Sequence, residues 1–159
     1  MGILVLGLGN ALMSDDSVGV RAVARLQQDY RFPEKVKIVD GGTLGLDLLP
    51  FIEEADQLLI IDALEMKADP GSIFRLEGDE VPRAFASKLS VHQMGLQDLL
   101  AVADLQGYSP RELVFWGVQP ASIEMTMEMS PPVAAALDEL VQSVVDELAR
   151  WGASLEKAA

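Results

Sequence analysis

The segment that decides the fold lies near the amino terminus, where residues 3–16 read ILVLGLGNALMSDD. Its first six residues form a continuous apolar run, which is typical of a strand buried on both faces of a parallel sheet. Gly7 and Gly9 then predict a sharp turn. Helical spacing of apolar residues follows this turn. The segment therefore predicts a strand, a glycine turn and a helix, the repeating unit of an α/β fold.

Similar strand-like runs recur along the chain, at residues 36–39, 58–61 and 113–116. Residues 72–76 predict a fifth strand, which follows the turn at 69–71 and is expected to return antiparallel to its predecessor. Between the runs lie helical patterns, marked by Ala22, Val23, Leu26 and Tyr30, by Leu44, Leu48, Leu49 and Ile52, and by Leu96, Leu99, Leu100 and Ala103.

The last predicted helix follows Ser130-Pro131-Pro132, which indicates an N-cap with proline at the first helical position. It carries a long apolar stripe from Val133 to Leu148. Alternating strands and helices predict a three-layer α/β/α sandwich, with a mostly parallel twisted sheet of about five strands and helices on both faces.

The length of 159 residues, half of them apolar, suits a single domain that spans 1–159. We find no internal repeat, low-complexity segment or linker in the sequence. Residues 152–159 are expected to form a loosely held tail.

The charge balance excludes several classes of function. Lys and Arg number 12 and Asp and Glu number 25, which gives a net charge of −13. Such a protein repels phosphate backbones and anionic lipids, so we expect neither a nucleic-acid partner nor a membrane partner. The absence of cysteine excludes a disulfide framework and a thiol nucleophile, and fits a cytoplasmic location. The longest apolar runs are also far shorter than a bilayer requires.

Three aspartates follow predicted strands or their turns, where the sites of open parallel sheets lie. They are Asp16, Asp40 and Asp62. Asp62 directly follows four apolar residues, where an unpaired carboxylate would be costly, so it must reach solvent, a hydrogen-bond donor or a metal. The single histidine, His92, lies in the first turn of a predicted helix behind the capping box Ser90-x-x-Gln93.

The positive end of that helix disfavours the imidazolium form, and the neutral ring can bind a metal. Two carboxylates and one imidazole suit a divalent ion such as nickel or zinc, and leave coordination positions open. Each residue also has a simpler explanation. Asp15 and Asp16 can complement a helix dipole after a Ser14 cap, Asp40 can serve a turn, and a lone histidine is more often structural.

Two further patterns carry less weight. Gly7-x-Gly9 with Asp40 resembles a dinucleotide fingerprint, but Leu12 occupies its third small-residue position, and Asp15 and Asp16 would repel a pyrophosphate. The alternating methionines at 125, 127 and 129 are typical of packing or of a flexible contact surface.

Taken together, these motifs resemble the hydrogenase maturation endopeptidases, which process the large-subunit precursor of nickel–iron hydrogenases. The resemblance covers nearly the whole chain. It rests on residues 3–10, Asp15-Asp16-x-x-Gly19-Val20, Asp40-Gly41-Gly42-Thr43, Asp62-Ala63 and His92-Gln93-x-Gly95-Leu96.

The resemblance implies an α/β sandwich, and an endopeptidase that removes a C-terminal extension from the precursor after nickel insertion. It implies metal ligands at Asp16, Asp62 and His92, and a processing role for Asp40, so that these four residues form the expected catalytic site. The nickel is expected to arrive with the substrate, and zinc or cadmium to substitute for it in crystals. The expected partner is the large-subunit precursor.

Two positions depart from the family pattern. Ser17 stands where relatives often have glycine, and Asp16 stands where they frequently have glutamate, which is one methylene longer. The alternatives are a nickel-dependent chaperone of the precursor that does not cut, another peptidase or amidohydrolase on the same fold, and a dinucleotide-dependent oxidoreductase.

Overall fold

The computed structural model describes residues 2–42, 45–85 and 91–158, with backbone alone at 45, 46, 83–85 and 91–96. The strands are β1 (Gly2–Leu8), β2 (Tyr30–Arg31), β3 (Val36–Gly42), β4 (Ala55–Ala63), β5 (Ile73–Glu77), β6 (Glu112–Val118) and β7 (Glu156–Lys157). The helices are α1 (Val18–Asp29), α2 (Leu49–Glu53), α3 (Glu80–Phe85), α4 (Val91–Leu105) and α5 (Pro131–Arg150), with 3-10 turns at Ser14–Ser17 and Gly45–Leu48.

Five strands form the main sheet in the order β3-β1-β4-β6-β5. The first four run parallel, and β5 pairs antiparallel with β6. This arrangement confirms the predicted α/β fold. The fifth strand differs in one respect, because β6 lies between it and its predecessor β4. The residues of β5 are only partly buried, which suits the edge of the sheet, whereas β6 is buried more deeply beside β4.

Side chains that alternate along the central strands form two apolar cores. Helices α1 and α5 cover one face of the sheet, through residues such as Val23, Leu26 and Leu140, which pack with Val5 and Ile61. Helices α2, α3 and α4 cover the other face, through residues such as Ile52, Val81 and Leu99, which pack with Leu6 and Ile60. The sandwich therefore has the three predicted layers.

The carboxyl-terminal segment differs from the loosely held tail expected for residues 152–159. Ala153 is buried and Leu155 packs against the α1–α5 core. Glu156 and Lys157 then pair antiparallel with β2. Apolar burial and backbone hydrogen bonds thus hold the chain as far as residue 158, although most of these side chains are exposed. Among the described residues, no helix is long and apolar enough to cross a bilayer.

Helix α1 lies unusually close to the sheet because glycines occupy the contact. A Cβ atom on Gly19 would lie 2.2 Å from the carbonyl oxygen of Ile61 and 2.4 Å from that of Leu8. A Cβ atom on Gly7 would lie 2.5 Å from the carbonyl oxygen of Gly19. The first turn of α1 therefore rests on the backbone of β1 and β4, and this contact fixes the preceding turn at Ser14–Ser17.

We expect Gly19→Ala to destabilise the protein by about 1–3 kcal/mol, because the new methyl group overlaps backbone atoms that cannot rotate away. Helix propensity alone predicts the opposite, a gain of about 1 kcal/mol. Ala24→Gly, at an exposed position of the same helix, is the matched control and should lose about that amount. Urea unfolding of both variants measures these changes, and a more stable Gly19→Ala would contradict the close contact.

Candidate functional site

The candidate site lies at the carboxyl edge of the sheet, where the strand order changes direction. The chain runs from β1 through α1 to β3, which lies on one side of β1 in the sheet. It then runs through α2 to β4, which lies on the other side of β1. Because α1 and α2 lie on opposite faces, the ends of β1 and β4 form the topological switch point, which is where open α/β sheets have their crevice. Ligands of open α/β sheets bind at such a switch point.

Asp62 lies at this crevice, next to the last residue of β4, and its side chain is fully buried. Its Oδ1 accepts a hydrogen bond of 2.8 Å from the amide of Ala63. The sequence analysis required a partner for this carboxylate, and the backbone supplies one.

Asp16 belongs to the 3-10 turn before α1 and is 7% exposed. Its Oδ2 accepts a hydrogen bond of 3.1 Å from the amide of Asn10, which closes the loop after β1. Gly9 lies between the two aspartates. A Cβ atom on Gly9 would lie 1.9 Å from the carbonyl oxygen of Asp16 and 3.6 Å from Oδ1 of Asp62. The structure thus brings Asp16 and Asp62 to one place.

Asp40 lies near the end of β3, on the other side of β1, and is exposed. It is paired in register with Gly7. Its Oδ1 accepts a hydrogen bond of 3.0 Å from the amide of Gly42, which has a positive φ of 47°. Asp40 therefore stabilises a turn, as its simpler explanation predicted. The same hydrogen bond orients its carboxylate at the carboxyl edge of the sheet.

His92 is the second residue of α4, so its backbone lies in the first turn of a helix, as predicted. Its side chain and those of Ser90 and Gln93 lie outside the described residues, and the capping box stays a prediction. No group of three acidic or histidine side chains able to hold a metal occurs among the side chains that the structure describes. The three-ligand site, which needs His92, is therefore still a prediction.

Asp15 has a role that the sequence analysis missed. It is fully buried and binds a distant loop, accepting hydrogen bonds from the amides of Ala121 (2.8 Å), Ser122 (3.2 Å) and Ser130 (2.7 Å), and from the Ser130 hydroxyl (2.8 Å). Burial raises the pKa of Asp15, but the hydrogen bonds from these three residues outweigh it and hold the pKa below its ordinary value. Asp15 is thus an anchor for residues 121–130.

The serines expected to cap helices serve this anchor instead. Ser14 has a φ of 41°, donates its hydroxyl to the carbonyl of Ser122, and accepts from the amide of Glu124. Ser130 occupies the N-cap position of α5 without a side-chain capping bond, because its hydroxyl donates to Asp15. Together they join the turn before α1 to the loop after β6.

Two other buried polar residues were also missed. Gln119 directly follows β6, and its Oε1 accepts hydrogen bonds from the amides of Met66 (2.7 Å) and Ala68 (3.2 Å). Its position after a strand end is the same signal that marked Asp62. Glu147 lies on α5, where it pairs with Arg75 and accepts from the Trp116 indole. A lone glutamate beside an apolar stripe gave no sign of this structural role.

Two of the predicted ligands at the crevice, Asp16 and Asp62, are of a residue type that binds divalent cations. Carboxylate oxygens from Asp16 and Asp62 are hard ligands, and the backbone amides that bind them restrict their motion. An imidazole from the first turn of α4 would complete a mixed oxygen and nitrogen set with open positions.

We expect Asp15→Asn to cost about 1–3 kcal/mol of stability at pH 7, because its amide group cannot accept from all the donors around Asp15. Since the pKa of Asp15 is lowered on folding, its ionisation stabilises the protein above the unfolded-state value of about 3.9. This contribution is lost as the pH falls from there towards the folded-state pKa. Urea unfolding at several pH values should therefore show that wild type and variant differ less in their free energy of unfolding below about pH 4.

Asp146→Asn, at an exposed position of α5, is the control for this experiment. It should change stability by less than about 0.5 kcal/mol. An Asp15→Asn protein as stable as the control would contradict the anchoring role.

Comparisons with known proteins agree with this architecture. The family model HycI, described as hydrogenase maturation protease, matches residues 20–147. The hydrogenase expression/formation protein HupD of Rhodobacter capsulatus is 41% identical over 159 residues, covering 99% of this chain and 76% of that protein. The hydrogenase 2 maturation protease of Escherichia coli is 40% identical over 153 residues, covering 96% and 93% of the two chains.

Solved structures give the same result. The hydrogenase maturating endopeptidase HybD from Escherichia coli superposes with a TM-score of 0.95 at 39% identity, covering 99% of this chain and 98% of that chain. The [NiFe] hydrogenase maturation protease HybD from Thermococcus kodakarensis has a TM-score of 0.74 at 28% identity, with coverages of 93% and 99%. The resemblance drawn from the sequence motifs is thereby confirmed, and the chain belongs to the hydrogenase maturation protease family and is a peptidase.

Proposed function

We propose that this peptidase removes a C-terminal extension from the large-subunit precursor of a nickel–iron hydrogenase after nickel has been inserted. The nickel is part of the substrate in this proposal, and it is the feature by which the enzyme recognises a precursor ready for cleavage. The observation that carries the proposal is that the main chain of Asp16 and the carboxylate of Asp62 both lie against Gly9 at the switch point of the sheet.

The burial of both carboxylates supports a role beyond solubility. Asp62 is fully buried and Asp16 nearly so, and burying charge in apolar surroundings is costly unless the charge is paired. The amides of Asn10 and Ala63 offset this cost and fix an oxygen atom of each carboxylate at the crevice. Asp16 and Asp62 therefore act as ligands for the nickel of the precursor.

The path of the chain supports His92 as the third ligand. Helix α4 ends at Leu105, a short loop before β6 begins, and packs on the sheet through Leu99 and Ala103. A helix that enters a strand in this way runs opposite to it, so the first turn of α4 points towards the carboxyl edge. Helix α4 also contacts the turn that follows β3.

Cleavage then follows from positioning. Three ligands hold the nickel and, with it, the peptide bond next to the crevice, which converts an encounter into an intramolecular reaction. A divalent ion polarises a nearby carbonyl or activates water. Asp40, oriented by the Gly42 amide, accepts a proton from the water that attacks the peptide carbonyl, and returns it to the leaving amine nitrogen as the C–N bond breaks.

We expect Asp62→Asn and His92→Ala each to slow processing by about a hundredfold or more, since misplacing a bound substrate by 1 Å can cost that much. Asp62→Asn should fold, because the carbonyl oxygen of the substituted side chain can still accept from the Ala63 amide. The assay follows shortening of nickel-loaded precursor on a denaturing gel, with melting curves as a check on folding. Asp146→Asn should process at the wild-type rate, and normal processing by either site variant would refute the ligand assignment.

Asp16 allows a finer test of the coordination. Asp16→Glu retains the charged oxygens and should stay within about tenfold of wild type, equivalent to ~1.4 kcal/mol of transition-state stabilisation. Asp16→Asn removes the charge and should lose much more. If both variants lose the same amount of activity in the gel assay, side-chain length at position 16 matters as much as charge, which would contradict tolerance of the longer glutamate.

A further inference from the structure

Exposed hydrophobic side chains collect around the candidate site. The loops that follow β1, β4 and β6 carry five large ones, which we call the methionine rim: Leu12, Met66, Ile123, Met125 and Met127. In the part of the chain that the structure describes, the other exposed large hydrophobics are Phe51, Leu105 and Tyr108. Scattered hydrophobics are normal on a protein surface, but a cluster beside a site marks an interaction surface.

Hydrogen bonds hold the rim in place. The amide of Ser14 donates to the carbonyl of Thr126 (2.7 Å), and the amide of Glu124 donates to the Ser14 hydroxyl (2.7 Å). Asp15 binds both ends of the same loop, and Gln119 binds the amide of Met66 (2.7 Å). The three loops are therefore tied together, and the apolar side chains face solvent on an organised backbone.

Acidic residues interleave with these hydrophobics. Glu124 and Glu128 alternate with Ile123, Met125 and Met127, and all five are exposed. Glu65 lies beside Met66 on the second loop, and Lys67 is the basic residue next to it. Arg21 also reaches the rim, where its guanidinium donates to the carbonyl of Met127. Three glutamates against Lys67 and Arg21 still leave the rim with net negative charge, in a chain whose overall charge is −13. A complementary partner presents apolar side chains together with lysine or arginine.

The flexibility of methionine fits a peptide partner better than a rigid surface. Its side chain has three rotatable bonds and a polarisable sulfur, so it adapts to several shapes. An extended segment can lay successive side chains against such a surface. The rim also adjoins Asp16, which directly follows the two residues that bind the loop after β6.

We propose that the methionine rim docks an extended apolar segment with basic side chains, which flanks the scissile bond of the precursor. This inference rests on the proposed function, since it takes the precursor as the substrate. Docking here would align the peptide with the crevice without contributing to the chemistry. The rim would then control substrate affinity, while Asp16 and Asp62 control cleavage.

The test uses the double variant Met125→Gln/Met127→Gln, which keeps side-chain length but removes apolar character. Its matched control is Leu105→Gln/Tyr108→Gln at the opposite end of the sheet, because Leu105 is 87% exposed and Met125 is 88% exposed. Steady-state cleavage of nickel-loaded precursor should show KM raised about tenfold with kcat unchanged, as expected when an interface hot spot is lost. The control should keep both constants.

The charge is tested by Glu124→Gln/Glu128→Gln, compared with Glu139→Gln on α5. The rim variant should bind immobilised nickel-loaded precursor more weakly, and with less dependence on salt, than wild type. Biolayer interferometry gives this binding whether or not the precursor is cleaved. Wild type that binds but does not cut would refute the proposed function alone. Wild type that cuts, with rim variants indistinguishable from their controls, would refute the docking surface alone.

Discussion

The contact between helix α1 and the sheet is the constraint on which the site depends. Gly7 and Gly19 let the helix rest on the backbone of β1 and β4, closer than any side chain would allow. The turn before the helix is held over the carboxyl ends of those strands as a result, and it carries Asp16 towards Asp62. A larger residue at either glycine would lift the helix and move the turn with it.

Two adjacent aspartates in that turn have opposite uses. Asp15 makes its described contacts inside the protein, with residues 121, 122 and 130, and has no exposed surface. Asp16 lies at the crevice and is bound to the loop after β1. Asp15 holds the loop of residues 121–130 in place, and Asp16 lies beside Asp62 in the candidate site. Two consecutive aspartates therefore have different roles, one structural and one in the candidate site.

Much of the fold follows from local pattern. Runs of mainly apolar residues predicted β1, β3, β4 and β6, because strands inside an α/β sandwich are mostly apolar. The run of β3 contains Lys37, which is exposed, in keeping with the position of β3 at the edge of the sheet. The rule that sites lie beyond strand ends led to Asp16, Asp40 and Asp62. It applied equally to Gln119, which was overlooked because an amide suggests no catalytic chemistry.

The remainder depends on contacts between residues far apart in the sequence. Nothing local distinguishes Asp15 from Asp16, since its partners lie more than 100 residues away. Ser14 and Ser130 matched the capping pattern, but in the folded chain their hydroxyl groups donate to the carbonyl of Ser122 and to Asp15. For the same reason, the sequence did not predict that β5 lies beyond β6 or that β7 pairs with β2.

The strand order has a consequence for synthesis on the ribosome. Strand β5 is made before β6 but can join the sheet only beside it, so a nascent chain that stops short of residue 112 leaves β5 without its neighbour. The Asp15 anchor likewise waits for residues 121–130 to emerge. The crevice residues are translated early, but the Asp15 anchor forms only after residues 121–130 have been made, so an incomplete polypeptide holds the acidic groups without the framework that aligns them.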